Sequence, residues 1–175
     1  MATSTVEIKK DVMPALATDL NDKGMEFFNR GDYGRAAEAF RAAAGAADRF
    51  KNKLFTVGMN IDEEAFDDPA KAGLHSKAAD FFLQGADVHA GRAVFITNEA
   101  NALFLQGKAR EALNACDDAL KANPGNADAW KLKGSIFKSM AVAADEKDDQ
   151  ASAIDFRNQA EECIKQAEKL KPSQP

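Results

Sequence analysis

The side chains able to do chemistry in this chain are two histidines, two cysteines, clustered carboxylates and a set of asparagines. His75 and His89 are 14 residues apart on one expected helix. That spacing leaves them about four turns apart, too far to chelate one ion. Cys116 and Cys163 form neither a CxxC site nor a disulfide framework. Both fall on the inner faces of expected helices, where a free thiol acts as a small hydrophobe. The carboxylates run together as Asp62, Glu63, Glu64, Asp67 and Asp68, and again as Asp145, Glu146, Asp148 and Asp149. They lack the calcium-loop pattern and read as solvated hairpin tips. No phosphate loop, dinucleotide fingerprint, nucleophile elbow or HExxH helix is present. The sequence therefore implies no catalytic residue, no metal ligand and no cofactor. What remains is recognition chemistry: an asparagine amide both donates and accepts.

Composition sets the class. At 45% hydrophobic and 29% charged, 175 residues can bury a core and keep a solvated surface. One Tyr, one Trp and abundant Ala favour helices over sheet. A net charge of −5 argues against nucleic acid and against an anionic membrane surface as partners. No apolar run approaches the roughly 20 residues of a membrane helix, and the N-terminus lacks a secretory signal. These features point to a cytoplasmic protein.

The elements that must position any site are read from a recurring pattern. Ala112, Cys116, Ala119 and Pro124 sit at spacings of four, three and five. Ala160, Ile164, Ala167 and Pro172 repeat them, and Ala36, Phe40 and Ala43 give the first three members. Ahead of these lie Leu20, Gly24 and Phe27, then Ile96, Ala100 and Leu103, then Trp130, Gly134 and Phe137, each at spacings of four and three. Small residues alternate with large ones where two helices must approach closely. Gly31 and Gly107 can end helices in the left-handed conformation. Asp32 and Asn126 can cap the helices that follow.

On these residues the chain resembles the tetratricopeptide repeat family, whose pattern is W-x2-L-G-x2-Y, then A-x3-F, then P. The resemblance covers somewhat over half the chain and implies an all-α fold of antiparallel helix pairs forming a short right-handed superhelix. It departs from the family in spacing. Ala36 to Ala112 is 76 residues and Ala112 to Ala160 is 48, against a period of 34. The excess reads as lengthened hairpins, with six helices at about 15–30, 33–57, 69–105, 108–122, 126–146 and 149–170. GMNIDEEAFDD reads as a loop. Asp68 and Pro69 read as cap and first residue of the third helix, which could bend near Gly85 or Gly91. Residues 1–14 read as an N-terminal tail, with a weak capping box at Ser4 and Glu7. Residues 15–172 read as one three-repeat domain, with repeats near 17–50, 93–126 and 127–172 and a helical insertion at 51–92. The face of the last helix expects cover from its own length or from another subunit.

The resemblance also implies a concave groove lined by the first helix of each repeat, holding a peptide or a partner helix. Groove positions are Asn21, Asp22, Met25, Phe28 and Asn29, then Val94, Thr97, Asn98, Asn101 and Leu105, then Asp128, Lys131, Leu132, Ser135 and Ser139. Some family members grip a C-terminal carboxylate with lysine, arginine and asparagine side chains. At the matching positions this chain has Asn21, Met25, Asn98, Asp128 and Leu132. Only Asn98 agrees, so a terminal carboxylate would lack its cationic partners. The expectation is a non-enzymatic adaptor or scaffold with a protein or peptide partner. A self-assembling protomer (a homodimer among the possibilities) and a small acidic secretion-type chaperone are the competing readings.

Overall fold

The computed structural model describes residues 14–65 and 73–170. Six helices follow one another, and among the described residues there is no strand. They are α1 (Ala15–Asn29), α2 (Tyr33–Ala65), α3 (Gly73–Leu105), α4 (Ala109–Ala122), α5 (Ala127–Asp145) and α6 (Gln150–Lys169). Each packs against the next, and α5 also reaches α3. The result is the all-α, tetratricopeptide-like arrangement of antiparallel helix pairs.

The pairs are joined by one repeated device. At the end of α1, Gly31 takes φ +78°. Its N–H donates to the Phe28 carbonyl, and the Asp32 N–H donates to Phe27. This 6→1 and 5→2 closure satisfies carbonyls that the helix end would leave orphaned. The end of α3 repeats it with Gly107 at φ +79°, bonding to Phe104, while Lys108 bonds to Leu103. The third copy places Asp148 there, at φ 58°, the one described non-glycine with positive φ. Asp32 and Asn126 cap as expected, accepting from the N–H groups of Arg35 at 3.2 Å and Ala129 at 3.1 Å. Asp149 caps α6 in the same way, from Ser152 at 3.1 Å.

Close approach within a pair depends on glycine facing bulk. A Cβ on Gly24 would stand 2.5 Å from the Phe40 ring, which is fully buried. A Cβ on Gly134 would meet the Ala160 carbonyl at 3.3 Å and the side chains of Ile164 and Cys163.

The largest departure from expectation lies in α2. The segment GMNIDEEAFDD was expected to be a loop, with α2 ending at 57. Instead α2 continues to Ala65, and both α2 and α3 are 33 residues long. The reason is Gly58. It does not start a turn; a Cβ there would come 2.7 Å from the Phe82 ring of α3. In return, a Cβ on Gly85 would come 2.8 Å from the Phe55 ring of α2. Each glycine admits the other helix's phenylalanine, and α3 runs without interruption through Gly85 and Gly91. Asp68 and Pro69, and the tail residues 1–13 with Ser4 and Glu7, lie outside the described residues.

Helix spacing shows where support ends. With Gly24 against Phe40, Ala15 at the start of α1 comes level with Arg49 on α2. Counting back from the Gly107 turn, Ala122 at the end of α4 comes level with Ala93 on α3. Beyond those points α2 and α3 pack on each other as a two-helix arm. Phe50, Leu54, Phe81 and Val88 fill the seam from its base outward.

Two stability measurements check this packing by urea unfolding. Gly24→Ala is expected to destabilise by about 1–2 kcal/mol, because overpacking against a fixed ring outweighs the gain in helix propensity. Gly45→Ala, whose Cβ would meet only Arg49 Nη1 at 3.6 Å, is expected to stabilise by about 0.5–1 kcal/mol. A second test concerns the third turn. Asp148→Gly relieves a left-handed backbone and is expected to add about 1 kcal/mol or slightly less, since glycine also has more entropy to lose.

Candidate interaction surface

The groove residues sort into two groups. Asn98 Nδ2 donates to Asn21 Oδ1 at 3.0 Å, linking α3 to α1. Thr97 Oγ1 donates to the Ala93 carbonyl at 2.8 Å and accepts from Asn126 Nδ2 at 3.0 Å, linking α3 to the start of α5. Phe28 packs edge-on against Tyr33, with ring centroids 5.2 Å apart, and Leu132 packs against the cluster around Ile136. These five side chains are engaged in contacts within the structure. The second group faces outward. Met25 is 40% exposed, Val94 54% and Leu105 45%. Asn29, Lys131 and Ser135 are exposed and Asn101 is half-buried. Lys131 Nζ bonds Asp128 at 2.9 Å, and Ser135 Oγ donates back to the Lys131 carbonyl.

These bonds place α1 and the start of α5 beside α3, and Met25, Val94 and Leu105 leave apolar side chains open to solvent there. Met25 and Val94 each lie one turn from the Asn21–Asn98 pair, and Leu105 lies one turn beyond Asn101. The amides that sequence reasoning offered to a peptide backbone are partly spent: Asn21 and Asn98 bond each other.

The opposite side of α3 carries a feature that the motif pattern does not reveal. There α2 and α4 diverge, leaving an open cleft of about 500 Å³. Its floor is Ala44, Gly45, Ile96, Leu103 and Ala115, and its rim is charged. Glu99 is 9% exposed and accepts from Arg41 Nε at 2.8 Å. Burial raises the Glu99 carboxyl above its ordinary value, against the pull of Arg41. Further out, Asp48 accepts from Lys51 at 2.8 Å and lies 3.9 Å from Arg92. The Lys51 hydrogen bond, with Arg92 and His89 nearby, holds Asp48 below the usual carboxylate range despite its partial burial. His89 is pushed down by burial first and then by the Lys51 and Arg92 charges. The signal available in the sequence was a glutamate directly beside Ala100, the small residue of the second repeat.

Both thiols are free and buried, as expected for packing cysteines. Burial pushes Cys116 up to about 12 and raises Cys163 as well, which leaves both protonated and poorly nucleophilic near neutral pH. No group of His, Cys, Asp and Glu able to hold a metal ion occurs among the described residues. The side chain of His75 lies outside them. No described helix is long and apolar enough to cross a membrane.

Comparison with known proteins adds little. No family model matches the chain, and no curated protein matches it. The chain is similar to the crystal structure of the MamA protein at 18% identity, over 91% of this chain and 98% of that one, with a TM-score of 0.28. A likeness at that score does not bear on function.

The buried carboxylate gives a pH test. A carboxyl whose folded value is raised binds its proton more tightly when folded. Its stabilising contribution is fully present below the unfolded value, near 4.3, and is lost as pH rises through the folded value. Comparing urea unfolding of Glu99→Gln with the parent from pH 4 to 7, the parent is expected to gain relative stability toward acid. A difference that is flat with pH would contradict this.

Proposed function

We propose that this protein is a non-enzymatic interaction module, an adaptor or scaffold that holds a peptide or helix of another protein in the groove between α1, α3 and α5. The observation that carries this reading is the exposure of Met25 on α1 and of Val94 and Leu105 on the neighbouring α3, with Asn101 and Asn29 close by in sequence. Large apolar side chains left in solvent together on one face are typical of protein-binding surfaces. The face belongs to a helical-pair architecture that presents extended concave surfaces. The reading is supported further by the chemistry that the chain lacks in sequence, a P-loop, a nucleophile elbow and a zincin helix. Among the described residues Asn101 makes no side-chain hydrogen bond, which makes it the α3 amide best placed to bond a peptide backbone.

The test is affinity capture from native lysate with the parent and with a Val94→Asp/Leu105→Asp variant, read by mass spectrometry. Both positions are exposed, so the variant is expected to keep its helical circular dichroism and melting profile. Proteins captured by the parent and lost from the variant support the groove. The same set captured by both would refute it. Asn101→Ala is expected to weaken capture of an identified partner by about 1 kcal/mol, the scale of one hydrogen bond.

A further inference from the structure

The groove floor does not stop where its walls stop. On α3, Ala79, Leu83, Ala86, Ala90, Val94, Thr97, Asn101 and Leu105 follow one another at spacings of four or three. That spacing keeps them on one side of a helix. The side is opposite α2, because Gly85, Ile96 and Leu103 turn the other way into contact with it or its cleft. The stripe holds no charged residue over about 39 Å of helix. Leu83 is 62% exposed and Val94 54%, and Ala79 and Ala86 are exposed between and beside them. Its second half is the groove floor. Its first half, Ala79 to Ala90, lies on the arm, beyond the level where α1 begins.

We infer that this stripe docks one amphipathic helix of another protein, lying along α3 from the groove out onto the arm, with basic residues on its α1-side flank. The inference rests on the groove reading and extends it. Three observations choose the occupant. The alanines leave room for large apolar side chains, while Leu83 and Val94 project as knobs between them, the surface relief that a packed helix needs. Asp80 and Asp87 edge the stripe on the side of Asn98, which faces α1, and on α1 the residue after Asn21 is the exposed Asp22. An acidic border selects a basic one. A second copy of this chain fits poorly. Its net charge is −5, and antiparallel pairing that sets Leu83 against Ala90 and Val94 against Ala79 also sets Asp87 beside Asp87.

The experiment uses the full chain and two synthetic helical peptides of about 25 residues. Both carry leucine at heptad a and d positions. One has lysine on its flanks and the other glutamate. Binding is read by fluorescence anisotropy at low and high salt, and light scattering gives the oligomeric state. The lysine-flanked peptide is expected to bind at least about tenfold tighter, with the preference shrinking in high salt. Leu83→Glu is expected to weaken it about tenfold or more, and Asp87→Asn to reduce the preference between peptides. Equal binding of the two peptides, or full binding by Leu83→Glu with an unchanged melting profile, overturns the inference. So does a dimer of the chain that Leu83→Glu dissociates, which would assign the stripe to a second copy. Loss of binding with Leu105→Asp but not with Leu83→Glu leaves the groove standing and removes the arm. Loss with neither removes both.

Discussion

The structure depends on the close approach of α2 and α3, which the described contacts carry from Arg41 to Gly58 along α2. Two glycines allow it. Gly58 lies under the Phe82 ring and Gly85 under the Phe55 ring, and the two rings lie 6.1 Å apart. The residue numbers of each pair add to 140, and so do those of Arg41 with Glu99 and Asp48 with Arg92. One antiparallel register therefore runs from the arm to the cleft. A slip by one residue would put a Cβ under each ring and separate both ion pairs. The interlocked rings are the steric part of this constraint, and close packing makes it discriminating. The ion pairs contribute little by themselves, since Arg41 is largely exposed.

Function on this account follows from what the register leaves uncovered. Because α2 takes one side of α3, the opposite side of α3 is free for α1 and α5 to flank at one end and for solvent to reach at the other. The Asn21–Asn98 and Asn126–Thr97 bonds fix how far the walls stand from the floor. These polar links sit at the edge of the core, where water can satisfy the spare valences of each amide. Apolar side chains are then exposed on the floor because, among the described residues, α1 and α5 flank it without covering it.

Much of this was legible in the sequence because it is local. Gly24 with Phe40, the left-handed Gly31 and Gly107, and the caps Asp32 and Asn126 each express a constraint within one helix pair or turn. The third turn hid behind Asp148, since aspartate tolerates the left-handed region without announcing it. Gly58 misled for the opposite reason. Glycine marks both a turn and a close helix contact, and only the facing Phe82 decides between them. The Asn21–Asn98 bond joins residues 77 apart, and Arg41–Glu99 joins residues 58 apart. Neither follows from periodicity, because both require the register of α2 on α3 to be known first. The division of the candidate amides between internal bonding and display was likewise not legible, because the Asn21–Asn98 bond depends on how α1 sits on α3.

The central claim is that the arm is a continuous extension of α2 and α3, held by their mutual packing and by one register. Hydrogen exchange of the full chain, resolved by residue, tests it most directly. The account predicts that amides at 51–60 and 78–90 are protected, open together as one unit, and exchange sooner than those around Phe40 and Ile136, which have helices on more than one side. Unprotected amides across Gly58 or Gly85, or independent opening of the two halves of the arm, would contradict it.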